Sequence, residues 1–437
     1  IIKKLFGASH CIKNFVYSLA RLACSFIKTQ KKNMSWRIRM NLSQISYKRN
    51  HSSSQLIIDK KPKISKSSPS FILVCGQNIC GQLGFPTHII ERHKPQHLKL
   101  DENIRLIVAG ALHSCALTVN GNVYTWGCND DGALGRITDN CDDEYTPSLF
   151  VLPEEIQEID AGDSFTVALG KSRRAYICGC FRNSQGVLGL FDCKQIQYRA
   201  VVIPLDEPIR KIVCGADFCL VLTEQDNLYS FGNNETGQLA RNNRESTWLQ
   251  PCLVSCFPKQ CVRNIWAGGH GCFILTQDSR FHLYSCGANS FGQLGHSSKS
   301  MISLPMEIEQ FSSIDKLVKI SCGLQHTLLL DSFGNVYGLG RSDDGRLGTH
   351  STDDILRPTL IPNLHDIIDI AAGGCVSFAI DRFGEIYSFG MGDTCQTGHG
   401  NEDIFQARKV QSKQLIDRRI QQISVGAQHT IFLVRNV

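Results

Sequence analysis

Two sets of residues in this 437-residue chain have types that could do chemistry: 20 cysteines, and histidines and aspartates that recur at fixed spacing. Thiols bind soft metals and act as nucleophiles, and neutral imidazoles join them in zinc sites. The densest cluster, Cys252, Cys256 and Cys261, lacks zinc-ligand spacing and an evident histidine partner. Neither a metal nor another cofactor is therefore expected. Several other cysteines fall at repeated positions: Cys75, Cys178 and Cys286 precede a glycine, while Cys214 and Cys322 replace an alanine. Those slots are small and packed, where a thiol behaves as a small hydrophobe. No Gly-x-x-x-x-Gly-Lys-Ser/Thr phosphate loop, His-Glu-x-x-His or Gly-x-Ser-x-Gly occurs. The chain reads as a protein that binds rather than an enzyme. Its abundant thiols, without a secretory signal, suit a reducing compartment.

The aspartates are more telling. AGDSFTVAL and CGADFCLVL carry Asp163 and Asp217 at a turn where sibling segments place Leu112, Gly269 or Ala427. The turn does not demand a carboxylate, so these two are candidates for pairing with a basic partner. Asp226, in a hairpin turn of the same unit as Asp217, reads as inert. His326 and His429 occupy the same steps in other units, but histidine recurs there and suits a structural role equally well.

The elements that position these residues are repeats. A small residue and Gly, two variable positions and a short apolar run begin at Ala109, Ala161, Cys214, Ala267, Cys322, Ala372 and Val425. A paired-glycine loop begins at Gly76, Gly127, Gly179, Gly232, Gly287, Gly340 and Gly390. Between them SCALTV and NVYTWG alternate around Asn120-Gly121, a hairpin signal. Units of about 52 residues built from short strands cannot bury their apolar faces alone, and a radial array buries them against one another. The chain stops after the seventh small-Gly step without its loop, and FILVCG opens with a loop without its step. These residues predict a seven-bladed β-propeller over 71–437, closed by the N-terminal strand. One copy departs: CGCFRNSQGVLG, residues 178–189, holds two more residues than its siblings.

Charge divides the chain. Residues 1–70 hold 15 Lys and Arg against one acid, Asp59, whereas the remainder holds 31 basic and 39 acidic residues, a balance of −8. A basic arm on an acidic body suits an arm that meets nucleic acid or an address receptor, and a body that meets a basic protein. Lys60, Lys61, Lys63 and Lys66, in a Ser-rich setting, read as a nuclear address in a disordered arm. Residues 1–33, basic and acid-free, also suit a mitochondrial presequence, with Met34 or Met40 as alternative starts. Lys13, Arg21 and Lys28 break every apolar run, so no membrane span is expected.

The seven units resemble those of the regulator of chromosome condensation family, guanine-nucleotide exchange factors for the small nuclear GTPase Ran. The likeness covers about residues 60–437 and rests on WGCNDDGALGR, AGDSFTVAL, FRNSQGVLGL, LGRSDDGRLG and FGMGDT. It implies a nuclear, chromatin-associated protein whose partners are Ran and, through the basic arm, histones and DNA. In that family the third blade projects a β-hairpin, the wedge, toward the GTPase nucleotide site. Phe181, Arg182, Asn183, Ser184, Gln185, Gly186 and Val187 match it, and the two extra residues supply its length. The resemblance also implies a GTPase-binding face containing Asp163, Asp217, Asp192, Arg241, His326 and His429.

Departures qualify that expectation. The family's nucleosome-facing loop, expected in the fifth blade, is longer and more basic than ARNNRESTWLQPC here, although Arg241 and Arg244 remain. Ile79 stands where the family has an acidic residue linked to chromatin. The alternatives to exchange are a mitochondrial repeat propeller and a non-exchanging interaction scaffold.

Overall fold

The computed structural model describes residues 69–241, 247–257, 261–309 and 317–436. Seven four-stranded antiparallel sheets and one two-stranded hairpin are formed among them. The basic arm and its lysines, Lys60, Lys61, Lys63 and Lys66, lie outside the described residues, as does Arg244. Seven inner strands, Ile104–Ala109, Ile156–Ala161, Ile209–Cys214, Val262–Gly268, Leu317–Cys322, Ile367–Ala372 and Arg418–Val425, each touch their counterparts on both sides. The last meets the first, which makes the assembly a closed propeller.

Closure follows the sequence expectation. Strand Ser70–Gln77 pairs with His429–Asn436 in the register Ser70↔Arg435, Leu73↔Phe432 and Gly76↔His429. Glu91–Leu98 pairs on its other side, so N-terminal segments supply two of the four strands in that blade. We number the blades from this one. Blade 3 then begins at Ile156, and the loop following Arg241 belongs to blade 4, not the fifth blade expected from resemblance: it joins Leu228–Gly232 to Cys252–Leu253.

Alternating polarity in the strands does not mean alternating exposure. Every residue of His113–Thr118, Phe218–Thr223 and His326–Asp331 is buried. Blades pack face to face, so both sides of a middle strand are covered, and the polar members are satisfied internally. The Ser114 hydroxyl donates to the Gln82 carbonyl (2.8 Å) and Thr125 Oγ1 to that of Leu134 (2.8 Å). One core cluster runs across three blades, from Phe218 and Leu220 through Phe273 to Leu329. Burying each such side chain is worth about 1.5–3 kcal/mol, and much of that gain requires the neighbouring blade.

The small-Gly step has a steric cause. In five of the seven units the ring three residues after the glycine packs against the glycine Cα, and Cys322 and Val425 fill that space at Gly268 and Gly373. A Cβ would come within 2.2 Å of His113 at Gly110, 2.1 Å of Phe165 at Gly162 and 1.9 Å of Phe218 at Gly215. The same holds for His326 at Gly323 (2.3 Å) and His429 at Gly426 (2.4 Å). No side chain fits.

Blades are also stitched together at their inner edges. The Cys214 N–H donates to Asp160 Oδ2 (2.7 Å), the Ala109 N–H to Ser424 Oγ (2.9 Å) and the Ala372 N–H to Ser321 Oγ (2.9 Å). Strand N–H groups that would otherwise form a bare edge are thereby paired. Asp226 has a comparable task and is not inert: its carboxylate meets Arg210 (2.8 Å) and Arg263 (3.0 Å), tying blade 4 to blade 5.

Candidate protein-docking face

The two extra residues of CGCFRNSQGVLG build a hairpin. Phe181–Asn183 pairs with Gly186–Gly189 in the register Arg182↔Val187 and Asn183↔Gly186, leaving Ser184-Gln185 as the turn. Asn183 fixes that turn by accepting the Gln185 N–H on Oδ1 (2.9 Å), the usual service of an Asn side chain in a tight loop.

Its root is core. The Phe181 ring is fully buried and stands edge-on to Phe165 (4.8 Å) and Phe231 (5.7 Å). Phe181 therefore anchors the hairpin and touches no partner, unlike the expectation that placed it in the projecting part. Exposure begins beyond it: Ser184, Gln185 and Val187 are exposed, and a Cβ on Gly186 would meet nothing within 4 Å.

Blades 2 and 4 brace the hairpin from both sides. The Arg182 guanidinium donates to Asp131 Oδ1 (2.7 Å), whose other oxygen accepts the Ser164 hydroxyl (2.8 Å). The Arg182 N–H donates to Asp217 Oδ1 (2.9 Å), and its carbonyl accepts from Asn233 Nδ2 (2.9 Å). The Ser184 N–H donates to Glu235 Oε2 (2.9 Å). Burial would raise the Glu235 carboxyl, but the Ser184 hydroxyl and N–H outweigh it and hold it below the usual range. A turn that would otherwise fray is held in one geometry.

Asp217 is only 3% exposed. Its carboxylate is spent on the hairpin backbone, which makes it a positioning residue and not the open acidic contact that the sequence suggested. Asp163 is half-buried at the adjoining step, where its N–H donates to the Ala216 carbonyl (2.7 Å). Asp192, just past the hairpin, is exposed and accepts Gln250 Nε2 (2.7 Å). The sequence reading missed Asp131, Asn233 and Glu235. Their signal was available, because all three lie in the paired-glycine loops WGCNDDG and FGNNETG that flank the longer copy.

The other three expected face residues are not brought to this site. Arg241 is 8% exposed and donates to Ser230 Oγ (2.9 Å) and to the Ser230, Thr247 and Gln250 carbonyls (3.1, 3.2 and 3.3 Å), so it clamps its own blade's loop. His326 and His429 are 1% and 0% exposed. His326 Nε2 lies 2.8 Å from Ser377 Oγ, and His429 Nε2 lies 2.9 Å from Ser114 Oγ. His113 makes the same contact with Thr166 Oγ1 (2.9 Å). These imidazoles are interblade clips. Burial holds their pKa values down to about 4 for His113 and about 3 for His326 and His429, so they are neutral.

Carboxylates gather around the hairpin, at Asp130, Asp131, Asp163, Asp192 and Glu235. Burial and then Asp131 push the Cys180 thiol up to about 12, and burial, then Asp130 and Asp131, raise the Tyr198 phenol. A basic surface approaching this face would be drawn in and oriented.

A closed ring of seven blades that presents one braced hairpin among carboxylates defines a protein-docking propeller. The chain belongs to the RCC1-like domain family, whose profile matches residues 71–432. It is 34% identical to the regulator of chromosome condensation of Xenopus laevis over 83% of this chain and 89% of that protein. It is 28% identical to the guanine nucleotide exchange factor SRM1 of Saccharomyces cerevisiae over 74% of this chain and 77% of that one. Among solved structures, that of Prp20p from Saccharomyces cerevisiae, described with its binding to Gsp1p and histones, superposes with a TM-score of 0.79 at 27% identity. The match covers 85% of this chain and 93% of Prp20p.

Proposed function

We propose that this chain is a guanine-nucleotide exchange factor for the GTPase Ran, and that the blade 3 hairpin is the part that opens the nucleotide site. The observation that carries this reading is the bracing of a short exposed tip, Ser184 to Val187, by Asp131, Asp217, Asn233 and Glu235. Exchange makes no covalent bond. A partner that binds the nucleotide-free GTPase more tightly than the nucleotide-bound form weakens nucleotide binding by the same factor. Accelerating release by ~10⁵-fold takes about 7 kcal/mol off the barrier. A hairpin already held in shape loses little entropy on insertion, so its contacts are available to distort the phosphate loop. The acidic rim, with Asp163 and Asp192, holds the GTPase while this happens.

The direct test is release of fluorescent GDP from Ran by the full chain. Acceleration of several orders of magnitude is expected, and release at the intrinsic rate overturns the proposal. Asp217→Ala should lower exchange ten- to hundredfold with a stability loss of about 1–3 kcal/mol, the cost of leaving the Arg182 N–H unpaired. Asp217→Asn retains an acceptor oxygen and should recover most of the activity. If both variants are equally inactive, the charge of Asp217 matters more than its hold on the hairpin.

The basic arm supplies the nuclear address and a sequence-blind contact with DNA phosphates beside histones on chromatin. Converting Lys60, Lys61, Lys63 and Lys66 to Ala should abolish nuclear import of a reporter carrying residues 40–70. In the full chain the same change should flatten the salt dependence of DNA binding, by about 0.9 in the log–log slope for each phosphate the lysines no longer neutralise. Delivery of a reporter bearing residues 1–70 to mitochondria would reassign the arm.

A further inference from the structure

The loop after the third strand of most blades holds a second glycine in the left-handed region, at Gly81 (φ 79°), Gly132 (76°), Gly237 (79°), Gly292 (78°) and Gly345 (75°). At four of these the space beside the glycine is filled by the outer strand of the next blade. A Cβ would lie 2.9 Å from the Gln197 carbonyl oxygen at Gly132, 2.5 Å from Ser303 Cα at Gly237, 3.0 Å from Leu356 Cα at Gly292 and 2.7 Å from the Ile404 carbonyl oxygen at Gly345. In blade 7 the position is Cys395, held at φ 59°. A β-carbon in this region is strained, and such strain persists where surrounding structure enforces it, often at binding sites.

What Cys395 faces is the outer strand of blade 1, Glu91–Leu98. Glu91 and His93 occupy alternate positions on Glu91–Leu98, so their side chains leave the strand on one side. A Glu91 carboxylate oxygen, a His93 ring nitrogen and Cys395 Sγ all lie within 4.8 Å of one another. Glu91 Oε1 and His93 Nε2 are 2.8 Å apart. Cys395 is 1% exposed, Glu91 is half-buried and His93 is exposed, so the cluster is walled on the protein side and open to water on the other. The His93 carbonyl also accepts the Gly400 N–H (3.1 Å), which ties this strand to the loop that carries Cys395.

We propose that Glu91, His93 and Cys395 bind a zinc ion that clips the blade 7 loop to the outer strand of blade 1. One sulfur, one nitrogen and one oxygen ligand with a fourth position left for water match zinc's tetrahedral preference. A thiolate in the set disfavours magnesium and calcium, which take oxygen donors. On binding, Zn²⁺ displaces the thiol proton to solvent and a sulfur–zinc bond forms, with no change of oxidation state. The site joins segments some 300 residues apart in sequence, Glu91 and Cys395, at the seam where the propeller closes. It is independent of the hairpin and of the exchange reading.

The test uses the full chain, stripped with a chelator and titrated with Zn²⁺ against a chromogenic competitor. Because the chain has many other thiols, the measurement is a difference between variants. Cys395→Gly restores the glycine that other blades carry, so it should fold and melt, metal-free, at or above the parent's temperature. The parent should take up one zinc more than Cys395→Gly, and His93→Ala should bind that zinc at least tenfold more weakly. Zinc should raise the parent's melting temperature and leave that of Cys395→Gly unmoved. With Co²⁺ the parent should show a thiolate-to-metal charge-transfer band that Cys395→Gly lacks. Equal zinc stoichiometry and an equal cobalt band in parent and Cys395→Gly would overturn the proposal.

Discussion

Replacing Arg182 through Val187 with a short glycine linker should leave a folded ring that no longer speeds GDP release from Ran. The loss expected is nearly the whole acceleration, ~10⁵-fold or about 7 kcal/mol of barrier. Melting temperature should fall by no more than a few degrees, because the excised residues are exposed or half-buried and the cost is limited to the partners that Asp131 and Asp217 lose. Phe181 has to stay. Its ring fills the space between Phe165 and Phe231, and truncating a buried Phe costs about 3–5 kcal/mol, which would confound a defect in exchange with a defect in folding. Capture of nucleotide-free Ran should persist, more weakly, through the acidic rim. Full exchange by the linker variant would remove the hairpin from the mechanism, while a collapse in melting temperature would make it a structural element.

Mild acid should unfold the propeller steeply, and the buried histidine clips are the reason. His113, His326 and His429 are neutral in the fold, with pKa values of about 4, 3 and 3 against an ordinary value of 6.5. For a depressed histidine the stabilisation is fully present above the unfolded value and is lost as pH falls from 6.5 toward the folded one. Over that window the unfolded chain binds three protons that the fold refuses. Asp160 works the other way: burial raises it to about 7, so between pH 7 and 4 the folded state binds one proton that the unfolded chain releases. For these four groups the difference is two protons, which corresponds to roughly 2–3 kcal/mol of stability per pH unit between pH 6 and 4.5. Two units exhaust much of a typical domain's 5–15 kcal/mol. Denaturant midpoints measured from pH 7.5 to 4.5 report this slope directly. His326→Gln should flatten it by about one proton, and an unchanged slope in that variant would show that the clip titrates normally.

The repeat architecture was legible in the residues alone because it rests on local rules. Small-Gly steps recur because a neighbouring group packs on each glycine, a ring in five units as at Gly110 and Gly215, and paired-glycine loops recur because each third strand ends in a left-handed residue, such as Gly127 at φ 106° or Gly340 at φ 104°. Closure by Ser70–Gln77 was equally readable, since each end of the chain lacked what the other held. The hairpin could be located too, because its sibling loops set a length from which it departs by two residues.

What each polar side chain does was decided only by tertiary contacts. Asp163 and Asp217 stand one position apart in their small-Gly steps, directly after the glycine and one residue further on, and Asp217 is buried under the hairpin while Asp163 is half-open. The partner of Asp217, the Arg182 N–H, comes from the neighbouring blade, and a repeat pattern carries no information about that. His326 and His429 looked like candidates for a partner surface, but the adjacent blades cover them and supply their hydroxyl partners, Ser377 and Ser114. Asp131 and Glu235 drew no notice in sequence and prove to hold the hairpin, because their partners Arg182 and Ser184 lie 51 residues away on another blade. Periodicity specifies the blade; the identity of the group facing each side chain is fixed when the ring closes and sets one blade against the next.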